Sequence, residues 1–153
     1  IMEIVKIIAV LISIASFCTA RFKARVNDGW LDWFGAAHFC RKLDADMVSI
    51  ESEEEFDALV AYIDAYGYTS SLGFWLSAND IERDGTFSWF GTGQPMNFTR
   101  WAPGQPNNRN NFQNCVLLFN DGTEYLMNDY TCEASANFIC EANNMQLVSL
   151  AVW

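Results

Sequence analysis

The spacing of apolar positions changes along the chain, and each change marks an element. Near the start they are almost continuous: Lys6 precedes an unbroken run from Ile7 to Ile12, extended by Ile14 and Phe17 and closed by the small residues Thr19 and Ala20. The run is shorter than the roughly 20 apolar residues of a bilayer-spanning helix. A basic residue, a short apolar run and Ala20 ahead of Arg21 predict a secretory signal peptide over residues 1–20. Arg21–Val26 reads as a short strand and Asn27-Asp28-Gly29 as a turn. Helical spacing begins at Asp32, a suitable N-cap, with Trp33, Ala36, Ala37, Cys40 and Leu43 on one face. Met47–Ile50 reads as a strand, and Ser52 with Glu55 forms a capping box, in which each side chain satisfies a free backbone amide. Phe56, Leu59, Val60 and Ile63 follow at i, i+3, i+4 and i+7, so a second amphipathic helix runs to near Gly67.

Past Gly67 short strand-like runs alternate with turn residues: Phe74–Ala78, Thr86–Phe90, Val116–Phe119, Tyr125–Met127 and Phe138–Cys140. Two helices followed by a strand-rich half predict an α+β domain. Between Gly91 and Asn114 lies a long segment rich in Gly, Pro, Asn and Gln. Unstructured segments of that length inside a compact domain are functional or disordered, and Phe98, Trp101, Phe112 and Cys115 anchor this one, which favours function. The apolar stretch Met145–Trp153 has no evident place.

Composition narrows the picture. A chain of 153 residues suits one domain. The formal net charge is −10, and loss of residues 1–20 removes one acid, Glu3, and one base, Lys6, so it belongs wholly to the mature chain. That argues against nucleic acid as a partner. Of five cysteines, Cys18 falls in the predicted signal, leaving Cys40, Cys115, Cys132 and Cys140. An even count in a secreted domain indicates disulfides, and three pairings are open.

The residue types also argue against an enzyme. Nucleophilic catalysis needs an activated Ser, Cys or Lys beside a base. The single histidine, His38, sits between Ala37 and Phe39 in the first helix, and one His with four committed cysteines leaves too few zinc ligands. Asp121 with Asp129, or Asp80 with Asp84, would be the carboxylate pairs for glycoside hydrolysis, but Asn120-Asp121-Gly122 and Asp84-Gly85 are turn signals in their own right. More informative is a set of oxygen donors: Gln105-Pro106-Asn107-Asn108, Gln113-Asn114 and Asn128-Asp129. Calcium takes about six to eight such oxygens; a Cys115–Cys132 bond would bring the second and third groups together, and the loop ending at Cys115 can fold the first onto them. Asn97-Phe98-Thr99 is a glycosylation sequon close to them in sequence.

From about Trp33 to Ala142 these residues resemble the C-type lectin-like family. Ala36-Ala37-His38-Phe39-Cys40 is similar to the family's first helix and first cysteine, and Leu43 to Ser52 to its continuation L-x-A-x-x-x-S-I-x-S. Phe74-Trp75-Leu76-Ser77 resembles the W-I-G-L strand, Trp101 to Asn107 the W-x-P-G-x-P-N loop, and Phe138-Ile139-Cys140-Glu141 the closing strand. The resemblance implies a lectin-like domain over residues 21–144, with two helices, two small antiparallel sheets, a long binding loop and the pairings Cys40–Cys140 and Cys115–Cys132. It implies no enzyme, but a secreted, extracellular module for glycans or glycoproteins with calcium as cofactor. The calcium and sugar ligands would be Gln105, Asn107, Gln113, Asn128 and Asp129. An auxiliary calcium position would draw on Asp80, Asp84, Asn108 and Asn114, although Asp80 and Asp84 also read as turn residues.

This chain departs from the family pattern in three places. Gln105-Pro106-Asn107 mixes the mannose-type Glu-Pro-Asn with the galactose-type Gln-Pro-Asp, Gln113 replaces the usual Glu, and Met127 stands where Trp usually precedes the Asn-Asp pair. Phe112 is placed to pack on a sugar's apolar face and Arg109 to donate to a hydroxyl. The opening strand offers only Phe22 and Val26 to cover the closing one, which predicts a thinly covered edge. A lectin-like domain that binds a protein or other surface without calcium is the alternative expectation.

Overall fold

A computed structural model of the protein describes residues 25–68 and 72–142. The predicted signal peptide with Cys18, the start of the predicted first strand and the stretch 145–153 lie outside the described residues.

Each helix starts where its capping residue predicts. The Asp32 carboxylate accepts from the Gly35 amide at 2.6 Å, and α1 runs Trp33–Lys42 with Trp33, Ala36, Ala37 and Cys40 buried. Arg41 and Lys42 in the last turn complement the helix dipole. At the second helix Ser52 Oγ accepts from the Glu55 amide at 3.2 Å, while Glu55 reaches back to accept from the Glu51 amide at 2.9 Å. These two bonds, the second to the residue before the cap, open α2, Glu53–Ala65, whose Phe56, Leu59 and Ile63 are buried. Among the described residues no helix is long and apolar enough to cross a membrane.

The strands are β1 Arg25–Leu31, β2 Ala45–Met47, β3 Phe74–Asn79, β4 Ser88–Trp89, β5 Cys115–Asn120, β6 Tyr125–Tyr130 and β7 Ala136–Ala142. They join in the order β1-β7-β3-β5-β6, with β2 on β7 and β4 on β3. The two antiparallel groups expected from the sequence are present, and a short parallel pairing of β3 with β7, Phe74 opposite Asn137 and Trp75 opposite Phe138, fuses them into one mixed sheet.

Because strand side chains alternate between faces, the sheet feeds two cores. Phe74, Leu76, Val116, Leu118 and Met127 pack with Phe56, Leu59 and Ile63 of α2. Trp75, Leu117 and Phe138 pack with Trp33, Ala36 and Cys40 of α1. Trp33 also donates from Nε1 to the Leu76 carbonyl at 2.9 Å, so Trp33→Ala would cost about 3–5 kcal/mol in packing alone.

Two local expectations are corrected. Asn27-Asp28-Gly29 is no turn: β1 continues to Leu31, with its register shifting between Asn27 and Leu31, because pairing with β7 outweighs local turn preference. The backbone of this longer β1 pairs with the closing strand β7, while Phe22, one of the two side chains expected to cover it, lies outside the described residues. Met47–Ile50 is likewise displaced, with pairing at Ala45–Met47. Val48 still bridges two strands, donating to the Ile139 carbonyl and accepting from the Ser77 amide.

Both disulfides form as the resemblance implies. Cys40–Cys140 spans 100 residues and Cys115–Cys132 spans 17.

Candidate functional site

The long loop is packed against β6. Trp101 pairs with Met127 in a parallel bridge, the Met127 amide donates to the Arg100 carbonyl at 2.7 Å, and the Ala102 amide donates to the Met127 carbonyl at 2.9 Å. Met127 is fully buried, so it fills the core position that Trp takes in the family while its backbone holds the loop.

Five residues further on, the Asn107 amide donates to both oxygens of Asp129, at 3.1 and 3.0 Å, and the Asn108 amide donates to Oδ2 at 2.5 Å. Asp129 is fully buried. A buried carboxylate needs such donors, and here they are the backbone of the loop itself. The stretch from Ala102 to Asn108 therefore runs beside Met127–Asp129, which sets the segment that carries Gln105 and Asn107 alongside the one that carries Asn128 and Asp129.

The remaining donors join through a compact turn. Asn108, Asn110 and Asn111 have positive φ, a conformation asparagine tolerates better than most residues. The Asn111 amide donates to the Asn108 carbonyl at 2.8 Å. Gln113 closes the turn in both directions, its amide donating to Asn108 Oδ1 at 3.1 Å and its Oε1 accepting from the Arg109 amide at 2.8 Å. Arg109 and Phe112 are exposed on this turn, Phe112 at 72%.

Asp80 and Asp84 border the same region. Asn108 Nδ2 donates to Asp84 Oδ1 at 2.7 Å, and the Asp80 amide donates to the Asn114 carbonyl at 3.0 Å. Asp80 Oδ2 accepts from the Gly85 amide at 2.7 Å, so this acid does close a turn. Burial pushes its pKa up; the Gly85 bond opposes that, and nearby Asp84 and Asp129 add to it.

Do these residues fit a cation? Three buried oxygens here have no hydrogen-bond partner among the described residues: Gln105 Oε1, Asn128 Oδ1 and Asp80 Oδ1. Buried acceptors without donors are costly and rare, and all three are oxygens of the kind a hard cation takes. Against them stand the Gln113 oxygen and the Asp129 carboxylate, both already engaged by amides. Among the described residues no group of three or more His, Cys, Asp or Glu is arranged to hold a metal. The donor set thus suits calcium chemistry with little charge behind it.

The carboxylate pair Asp121 with Asp129 does not assemble. Asp121 accepts from Thr123 and Glu124 in the β5–β6 turn, while Asp129 lies four residues into β6 from Tyr125. That is roughly 13 Å of strand, wider than the roughly 5–9.5 Å of glycosidase carboxylate pairs.

The family model of the lectin C-type domain matches residues 31–142. The chain belongs to this family. C-type lectin 37Da of Drosophila melanogaster is 37% identical over 130 residues, which cover 80% of this chain and 69% of that protein. Among solved structures, the mouse scavenger receptor C-type lectin carbohydrate-recognition domain is 26% identical with a TM-score of 0.67, covering 79% of this chain and 87% of its own. The cow C-type carbohydrate-recognition domain of CD23, solved in the presence of a GlcNAc2Man3 oligosaccharide, is 27% identical with a TM-score of 0.66 over 79% of this chain and 87% of that one. These names are those of lectins and carbohydrate-recognition domains, and this C-type lectin domain is of a carbohydrate-binding family.

What the sequence did not reveal is how the site is held. The Asp129 bonds to Asn107 and Asn108, the Asp84 link to Asn108 and the Trp101–Met127 bridge join residues 21 to 26 positions apart, and no local pattern announces them.

Proposed function

We propose that this chain is a secreted, extracellular lectin that binds glycans or glycoproteins at the loop site in a calcium-dependent manner, with residues 1–20 its signal peptide, residues 21–144 its binding domain and Asn97 a glycosylated position. The observation that carries the reading is the pair of buried, donorless carbonyl oxygens, Gln105 Oε1 and Asn128 Oδ1, on the two segments that Asp129 ties together. Gln105, Asn107, Gln113, Asn128 and Asp129 would hold the ion. Calcium, when bound, supplies coordination positions for neighbouring sugar hydroxyls. The protein's own part is preorganisation: the Asp129 carboxylate fixes the loop backbone, and the turn closed by Gln113 presents Asn107 and Phe112 on a stiff frame, which lowers the entropy lost on binding. The mixed triplet Gln105-Pro106-Asn107 leaves galactose-type and mannose-type ligands both open. Exposed Asn97 and the two disulfides suit an extracellular protein.

The experiment is calcium titration by calorimetry and thermal shift, then a glycan array with and without chelator. Calcium heat, a raised melting temperature and chelator-sensitive sugar binding are expected. Absence of all three would remove calcium from the reading.

One observation favours a second reading, a lectin-like domain that recognises a protein or other surface without calcium. Asp129 and Gln113 already have their oxygens satisfied by loop amides, so the loop has its shape without an ion. An array positive in chelator, or a partner bound equally with and without calcium, would favour it.

A further inference from the structure

Between Trp101 and Ala142 the chain has a single Lys or Arg, Arg109. It is exposed on the turn beside the proposed sugar site. The ion pairs between described residues involve Arg41 and Arg100, so the Arg109 guanidinium has no carboxylate partner among the described residues. An exposed guanidinium needs no carboxylate to be stable, so its charge is available to a ligand in a chain with 19 acids against nine Lys and Arg. The neighbouring acids are engaged elsewhere: Asp84 accepts from Asn108 Nδ2, and Asp129 is buried beneath the loop amides. The bond from the Arg109 amide to Gln113 Oε1 closes the turn, holding Arg109 and the 72% exposed Phe112 at its two ends.

We propose that this turn makes the site selective for acidic sugars: the Arg109 guanidinium pairs with a carboxylate or sulfate ester on the ligand while the Phe112 ring packs on the sugar's apolar face. The inference rests on the sugar-binding reading above. A guanidinium matches either anion with two parallel hydrogen bonds. The net negative charge of the whole chain does not forbid it, because charges beyond about 8 Å are largely screened at physiological salt.

The test is calorimetry in calcium with matched neutral, carboxylated and sulfated glycosides of both galactose and mannose, on the full chain, Arg109→Gln, Arg109→Lys and Phe112→Ala. Wild type should bind an acidic member roughly tenfold tighter than its neutral parent, an advantage that shrinks as salt rises. Arg109→Gln should bring that ratio to about one, Arg109→Lys should retain part of it as a point charge, and Phe112→Ala should weaken both members while leaving the ratio. The more tightly bound arm distinguishes carboxylate from sulfate. Equal wild-type affinity for neutral and acidic members, or a ratio that survives Arg109→Gln, overturns the proposal and leaves the lectin reading standing. No binding of any sugar, with or without calcium, overturns both.

Discussion

Replacing Asp129 by alanine should loosen the binding loop before it unfolds the domain. The carboxylate is fully buried and takes amide donors from Asn107 and Asn108. A hydrogen bond to a charged group contributes about 1.5–3 kcal/mol net, so two of them are worth about 3–6 kcal/mol. Truncation also admits water to a loop that is partly exposed, which recovers some of that, and the expected loss is about 2–4 kcal/mol. The assay is equilibrium urea unfolding with the disulfides intact, where the midpoint should fall with an unchanged slope. Native-state hydrogen exchange provides the local reading, because the Asn107 and Asn108 amides should lose protection while β3 and β5 amides exchange only through global opening. Asp129→Asn retains one acceptor oxygen and places a donor group against the same amides, so it should fall between wild type and alanine. An alanine variant within about 0.5 kcal/mol of wild type, the ordinary scatter of surface substitutions, with both amides still protected, would refute the claim that this side chain holds the loop.

Three further outcomes follow from the same geometry. Gln113→Glu keeps the acceptor for the Arg109 amide and adds a charge to the donor set, so calcium should raise the melting temperature of the variant more than that of wild type. Glu141 accepts from Ser49 Oγ at 2.8 Å, and its pKa is raised by burial, against the opposing Ser49 bonds and with Glu55 and Asp46 adding to the rise; a carboxyl so raised favours the fold below its ordinary range and loses that contribution as pH climbs through its folded value. Glu141→Gln, which still accepts from Ser49, should therefore melt higher than wild type at neutral pH, and the difference should vanish in acid; equal melting curves at neutral pH would be the contrary result. Gly73 has φ of +129°, and a Cβ there would stand 2.6 Å from the Leu118 carbonyl oxygen, so Gly73→Ala should lose about 1–3 kcal/mol in urea unfolding.

The parts of this fold legible in the sequence are those whose cause is local. Asp32 and Ser52 each cap an amide three residues on, and helical periodicity marks the buried faces of α1 and α2, so both helices begin where the pattern says. The strands were legible as segments but not as pairings. Asn27-Asp28-Gly29 has turn chemistry, yet β7 supplies a partner that only the tertiary fold provides. The predicted strand Thr86–Phe90 shrinks to Ser88–Trp89, where β3 offers pairing at Asn79 and Ala78. At the site, residue identity pointed to the candidate donors, because Gln, Asn and Asp oxygens cluster in sequence around Cys115 and Cys132. Their mutual commitments were invisible, since Asp129 meets its donors 21 and 22 residues back along the chain.

The disulfides and the backbone anchor together explain how a site can drift while its scaffold stays put. Cys40–Cys140 joins α1 to β7 across 100 residues, and in the chain-entropy model it contributes about 4–5 kcal/mol to the whole domain. Cys115–Cys132 spans only 17 residues, worth about 3 kcal/mol in the same model, but it lies at the open end of the hairpin that carries Asn128 and Asp129. The Cys132 carbonyl also accepts from the Trp33 amide, and the Asn114 carbonyl from Asp80, so this short bridge knits α1, the Asp80 turn and the donor segments to one point. Within that frame Asp129 grips main-chain amides rather than the side chains of Asn107 and Asn108. The side chains at Gln105, Asn107, Arg109 and Phe112 can therefore change without releasing the loop, whereas Asp129 cannot. Gln113 is the intermediate case, because its side chain closes the turn and is also one of the proposed donors, so a change to Glu would be tolerated by the first role and felt by the second. Selection acting on such a framework can change the side chains that line the loop at little cost in stability, because the bonds that anchor it are to its main chain.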